Sequence, residues 1–221
     1  MDILEAVRLR KSIRGYKPTP VGKEIIWEIL DAASRSPSAS NLQPWELTIV
    51  TGEALEKIRR GNLDMFASGK RPNPDVSEEL YTGEYKKRQV ELAVQIYQLM
   101  GIERENKEKR TAWMNKGLRF YDAPVVIFLS MDRSLNLARL FDIGIISQTI
   151  CLVAPNYGLG TCIQGQGILY PDVIRKITGI PNSKMIIMCI TIGYPDLDYP
   201  ANKVETTREP IENISNWCGY E

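Results

Sequence analysis

Pro124-Val125-Val126-Ile127-Phe128-Leu129-Ser130 is a continuous apolar run of strand length, with no polar residue before its last position. Such a run predicts a strand buried on both faces, because a half-solvated strand would alternate apolar and polar residues. Downstream, Asp132 or Ser134 can cap a helix that runs to about Asn156 and is apolar nearly all round. A helix of that kind lies deep in a core or in an oligomer interface. Lys184 to Gly193 reads as a second buried strand. Working outward, residues 2–9 form a short helix with Ile3, Leu4 and Val7 on one face. Residues 22–34 form another, with Ile25, Ile26, Ile29, Leu30 and Ala33 at helical spacing. Trp45 to Thr51 is a strand, Ala54 to Arg60 a short helix, and Tyr157 to Ile163 a turn into a short strand. Asp172 to Thr178 is a helix stopped by Gly179. Helices and strands mixed without a strict βαβ rhythm indicate an α+β or α/β fold in three layers.

The 221 residues suit one domain, 1–221. Residues 64–116 carry only thin apolar stripes (Val90, Ala93, Val94, Tyr97) and read as an insertion or lid. The tail, 194–221, has little apolar content and is expected to lie as an arm on something else, such as a partner subunit. Net charge is +1, from 28 basic and 27 acidic residues, so no global field argues for nucleic acid or a membrane surface. The four cysteines are far apart, and free thiols in a reducing compartment are expected. The N-terminus reads as a helix start, not a signal peptide, and the expected location is cytoplasmic. There is no histidine, which removes Ser-His-Asp triads, Cys-His dyads and His-based metal sites. An enzyme built this way would use a borrowed cofactor for its hard chemistry; no metal site and no catalytic side chain are expected.

Three segments carry chemistry. Arg10-Lys11-Ser12-Ile13-Arg14 puts three cations and a hydroxyl together, a set suited to phosphate oxygens. It also suits the C-terminal end of a helix dipole. Pro37-Ser38-Ala39-Ser40-Asn41-Leu42-Gln43-Pro44-Trp45 offers small residues for close approach to a flat ligand. Asn41 and Gln43 there pair a donor with an acceptor; the plainer reading is a helix-to-strand loop. Gly158 to Gly167 is glycine-rich but follows a helix, so it is a poor dinucleotide fingerprint. It fits either backbone N–H groups aimed at a cofactor ring or a helix cap before a strand.

Taken in order, and with Arg208-Glu209-Pro210-Ile211-Glu212 near the end, these segments make the chain resemble the FMN-dependent nitroreductase family over nearly its whole length. The resemblance implies an α+β nitroreductase-like three-layer α/β/α sandwich and a domain-interlocked homodimer with two flavin sites. It places Arg10, Ser12 and Arg208 around the FMN phosphate and ribityl chain, with Lys11 beside them and Arg14 near N1 and the C2 carbonyl. Pro37, Ser38, Ala39, Asn41 and Gln43 would come from the partner subunit, and Cys162, Ile163, Gln164 and Gly165 would offer backbone, with Gln164 N–H to flavin N5. Where the family leads one to expect a lysine just before Arg208, this chain has Thr206 and Thr207.

The implied activity is a ping-pong cycle. NADH or NADPH reduces the flavin, and the flavin then reduces an electron-poor small molecule such as a nitroaromatic, quinone or activated ene. Substrate choice falls to the lid, with Tyr81, Tyr85 and Trp113 as its expected contacts. The stretch Lys109 to Trp113 is also similar to the halotyrosine deiodinase branch, but Tyr81 stands where that branch has a glutamate. A reductive dehalogenase is one alternative. A non-catalytic flavin protein that stores, senses or passes electrons is the other.

Overall fold

A computed structural model describes residues 2–77 and 80–220. In chain order the main elements are α1 (Ile3–Leu9), α2 (Lys23–Ser34), β1 (Glu46–Thr51), α3 (Gly52–Ala67), α4 (Gly83–Leu99) and α5 (Lys107–Leu118). After them come β2 (Val125–Asp132), α6 (Leu140–Val153), β3 (Gly160–Gln164), α7 (Pro171–Thr178), β4 (Lys184–Gly193) and α8 (Ile211–Ile214). The four strands form one antiparallel sheet in the order β1-β2-β4-β3.

Strand β2 is buried over its first seven residues, and its side chains alternate between two cores. Val125, Ile127, Leu129 and Met131 join Ile26 and Ile29 of α2 and Ile143, Ile146 and Ile150 of α6. Val126 and Phe128 join Leu55 and Ile58 of α3 and Ile174 of α7 on the opposite face. The continuous apolar run therefore serves two helical layers, and the α/β/α sandwich is present.

Several boundaries move. The short helix expected at 54–60 runs on to Ala67, because Arg59 and Asn62 are buried polar residues that imitate a solvated face in the pattern. The boundary expected at 64 for the lid thus falls inside α3. The loop after α3 is pinned to the core: Asn73 N–H donates to Leu169 O at 3.0 Å, and Tyr170 Oη donates to Lys70 O at 3.0 Å. Asp75 binds Arg175 at 2.7 Å, Ile186 N–H at 2.8 Å and Arg133 as well. What stands apart is α4 and α5, whose buried residues are few. The helix expected from Asp132 begins at Leu140, since Asp132 Oδ1 instead holds a turn through Ser134 N–H at 2.9 Å.

The tail is also corrected in part. Residues 194–204 are anchored on the chain's own body through the buried Ala201, Asn202 and Val204, although Leu197, Asp198 and Lys203 are exposed, and from Glu205 on nearly every residue is exposed. Helix α6 is buried on one face and leaves Phe141 74% exposed. Ile3, Leu4, Val7 and Leu9 of α1 are likewise uncovered. The run 137–157 is long and apolar enough to cross a membrane by length and composition, but its buried face packs on the sheet and α2.

Candidate functional site

Strand β3 is an edge strand, and its free edge receives the basic pentad. Ile13 N–H donates to Thr161 O at 2.9 Å, and Ser12 and Thr161 form a parallel bridge. The approach is close because Gly160 has no side chain: a Cβ there would stand 2.5 Å from Ile13 Cγ1. Ile13 buries inward, Ser12 and Arg14 stay half-buried, and Lys11 is exposed. Beyond the pentad, Arg14 N–H donates to Asn202 Oδ1 at 2.6 Å, while Asn202 Nδ2 donates to Gly15 O at 2.8 Å and Asp196 O at 2.7 Å. Tyr16 Oη lies 2.9 Å from Ile13 O and 2.7 Å from Thr191 Oγ1, tying the same segment to β4.

Arg10, Ser12 and Arg14 gather around Cys162. Burial pushes the Cys162 thiol up, and the Arg14 cation, the Ser12 hydroxyl and the Arg10 cation pull it partly back. Nearby, burial raises Cys151 to about 11 against Thr161 and Arg10. Both sulfurs remain protonated thiols, so neither is a nucleophile at neutral pH. Gln164 uses its side chain internally: Nε2 donates to Gly117 O at 3.4 Å and Oε1 accepts from Gly167 N–H at 3.1 Å. Its carbonyl accepts from Cys189 Sγ at 3.2 Å. A ligand on this edge would therefore meet main chain, with Ile163 the exposed side chain of the strand.

The remaining predicted residues are not brought to the pentad within one chain. In loop 37–43, Pro37, Ala39, Asn41 and Gln43 are exposed and Ser38 is half-buried. Ser40, Asn41 and Gln43 all take positive φ, at 51°, 56° and 46°. Ser38 Oγ accepts from Gln43 N–H at 2.9 Å, and Ala39 N–H reaches Asp142 Oδ1 on α6 at 3.4 Å. The loop is thus built on α6, and among the described residues no hydrogen bond or ion pair links it to residues 10–14. Arg208 is exposed and bonds its own arm, at Thr206 Oγ1 (2.8 Å) and Thr207 O (2.7 Å). It lines a cavity of about 530 Å³ between the arm and α4, closed on one side by the Arg88–Glu209 pair at 2.9 Å.

In the lid, Tyr81 and Tyr85 are exposed, with the Arg88 guanidinium 5.8 Å from the Tyr85 ring centroid. Trp113 alone of the three reaches the pentad's surroundings. Its ring lies 5.8 Å from that of Tyr121, a buried residue whose hydroxyl donates to Gln166 Oε1 at 3.1 Å. Burial raises Tyr121, and the Cys162 sulfur adds to the rise, while the Arg14 cation opposes it. Tyr121 was not singled out from the sequence. Nothing in Phe120-Tyr121-Asp122 announces the left-handed turn that aims it.

Residues 7–194 match the family model described as the nitroreductase family. The chain is 30% identical over 215 residues to the 4-nitrobenzoate reductase of Nocardioides sp. (strain LMS-CY), covering 93% of this chain and 85% of that protein. It is 29% identical over 216 residues to the nitrobenzene nitroreductase of Ectopseudomonas oleovorans, covering 96% and 95%. Among solved structures, the FMN and NADPH-dependent nitroreductase NfnB from sphigopyxis sp. strain HMH superposes with a TM-score of 0.96 at 26% identity, with full coverage of both chains. With the sandwich, the edge-strand pentad and these likenesses together, the chain belongs to the nitroreductase family and is an oxidoreductase of that family.

Proposed function

We propose that this protein is an FMN-dependent NAD(P)H oxidoreductase that works as a homodimer and reduces electron-poor small organic molecules, nitroaromatics foremost. The observation that carries this reading is the convergence of Arg10, Ser12 and Arg14 on the open edge of β3. That donor set fits the group. Two half-exposed cations and a hydroxyl suit an anionic phosphate chain, and an edge strand with free backbone suits the polar rim of a planar ring. The names of the relatives add the substrate class, since they reduce 4-nitrobenzoate and nitrobenzene. An NfnB of Mycobacterium smegmatis solved with NADPH, superposing at a TM-score of 0.91 and 25% identity, adds the donor.

Bound FMN would supply the two-electron relay between the nicotinamide and the substrate. The chain's own residues bind and orient it. Arg10 and Ser12 would hold its phosphate end, Arg14 would set positive charge beside the pyrimidine end of its ring, and the Gln164 and Gly165 main chain would meet the ring edge. Arg208 is assigned to the phosphate end from the arm. No side-chain acid or base is needed, in keeping with a chain that lacks histidine. Proximity over the ring provides the catalysis.

The dimer is supported by uncovered apolar residues on three neighbouring elements: α1, the Phe141 face of α6, and Trp27 of α2, which is 69% exposed. Across that interface Pro37, Ser38, Ala39, Asn41 and Gln43 would complete the partner's site, and Tyr81, Tyr85 and Trp113 would flank the substrate. Three buried free thiols fit a reducing compartment such as the cytoplasm.

The test is an anaerobic experiment on the purified protein. It is expected to be yellow, to elute as a dimer, to bleach on mixing with NADPH or NADH, and to recolour with 4-nitrobenzoate. A colourless protein that FMN cannot reconstitute would overturn the reading. A bound flavin that neither nicotinamide reduces would favour electron storage or sensing, and recolouring only with halophenols would favour dehalogenation.

A further inference from the structure

Strand β3 ends at Gln164, and the loop that follows it is held firmly to the body of the fold. Gly167 N–H donates to Gln164 Oε1 at 3.1 Å, and Asn62 of α3 donates to Gly167 O at 3.0 Å. Gly167 also admits the Phe120 ring, which would collide with a side chain at that position. Helix α5 is the opposite case, with only Gly117 and Leu118 buried, at its C-terminal end. Gln166 reaches from the firm loop to this loosely held helix. Its Nε2 donates to Met114 Sδ at 3.3 Å, and its Oε1 accepts from the Tyr121 hydroxyl at 3.1 Å. Among the described residues, the other side-chain hydrogen bonds of 107–115 stay within the lid, at Gly101, Arg104 and Asn106.

Two features are shaped around the Gln166 amide. Gly117 takes no positive φ, so no turn requires a glycine there. What it supplies is a notch in α5: a Cβ at that position would strike the Gln166 amide. Tyr121 belongs to a run of three left-handed residues, Phe120, Tyr121 and Asp122, with φ of 59°, 54° and 57°. None is glycine, and such a run persists only where its surroundings impose it. Arg59 bonds the carbonyls on either side, Arg119 O at 3.0 Å and Ala123 O at 2.5 Å. The turn presents the Tyr121 ring to that of Trp113 at 5.8 Å and the hydroxyl to Gln166. A thioether is a weak acceptor, so fit in the notch counts as much as bond strength.

We propose that Gln166 is a specificity-determining positioning residue: seated in the Gly117 notch, it holds the Trp113 end of α5 in a fixed place beside the end of β3. The consequence for the substrate rests on the reading under Proposed function, in which Trp113 flanks it. A docked helix offers the Trp113 face ready-made. An undocked helix is competent only part of the time, and the apparent affinity falls by that fraction.

Two variants and two measurements on the full-length protein test this. Gln166→Met keeps the length of the side chain and removes its amide. Gly117→Ala fills the notch while giving α5 a better helix former, so loosening there cannot come from lower helix propensity. In the flavin-free protein, hydrogen exchange of the 111–118 amides is expected to speed up about tenfold in both variants, with exchange in β2 unchanged. In the FMN-loaded protein, the 4-nitrobenzoate concentration that half-saturates reoxidation of reduced flavin should rise several-fold, by no more than the same factor. The limiting rate, and reduction by NADPH, should stay within about twofold. Gln166→Met made on a Trp113→Ala background should raise that concentration no further. Unchanged exchange at 111–118 in both variants, or exchange that speeds up equally in β2, would make Gln166 merely structural and overturn the proposal. Faster exchange with an unaltered half-saturating concentration would overturn the specificity role. If the protein retained no FMN, the flavin reading would fail, and hydrogen exchange would still decide whether Gln166 holds α5.

Discussion

Arg14→Ala is expected to slow reduction of the bound flavin by NADPH roughly 10- to 100-fold, the range that loss of one charge-assisted interaction of 1.5–3 kcal/mol produces. Arg10→Ala is expected to raise the FMN dissociation constant by a similar factor and to change the reduction rate of retained flavin far less. The two cations differ in role because they differ in place. Both flank Cys162, but the Arg14 main chain is pinned by Asn202, whereas Arg10 stands beside Cys151 at the end of α1. Stopped-flow absorbance separates the rate, and the fluorescence of released flavin separates the affinity. Equal losses of both kinds in both variants would show that the pentad acts as an undivided phosphate clamp. No effect of either would leave it as charge at a helix end.

Asp75→Ala is expected to cost about 3–5 kcal/mol of stability, because it leaves the Arg175 guanidinium buried without its carboxylate. Both side chains are only 9% exposed, so solvent screens the pair little. Ile186 N–H and Arg133 lose their acceptor at the same time. For a chain of this size that corresponds to a fall in melting temperature of roughly 6–20 °C. The same carboxylate sets an acid limit. Burial by itself would raise it, but the Ile186 N–H and the Arg175 and Arg133 cations outweigh burial and hold it below the ordinary 3.8. A depressed folded value means that the stabilisation is complete above the unfolded value and drains away as pH falls through the folded one. Asp75→Asn should therefore flatten the loss of stability below about pH 4 in thermal melts recorded across that range. An unaltered acid limb would mean that another carboxylate governs it.

The central layer of the fold was legible because its signal is local. Seven residues from Pro124 to Ser130, apolar up to the last, can only be a strand with two dry faces, and β2 divides its side chains between the α2–α6 core and the α3–α7 core. Helix α3 was underestimated for the complementary reason. Arg59 and Asn62 look like surface residues until the carbonyls they serve, on the 118–123 turn and at Gly167, are folded against them. The pentad was legible as chemistry, and its place on β3 depended on Gly160, a residue whose importance is the side chain it lacks. The loop at residues 37–43 reads from the sequence as a candidate ligand segment, but its seat on α6 came from Asp142, about a hundred positions away.

The sequence by itself determined the layers, the oxidoreductase family and the cationic pentad, since periodicity and short motifs are properties of neighbouring residues. Tertiary structure alone decided which distant groups meet. Asp75 meets Arg175 across 100 residues, Arg14 meets Asn202 across 188, and Tyr121 reaches its station through three consecutive left-handed residues. Such bonds join groups that lie far apart in any linear pattern. Strained backbone of that kind survives only where packing and buried hydrogen bonds from other elements compel it.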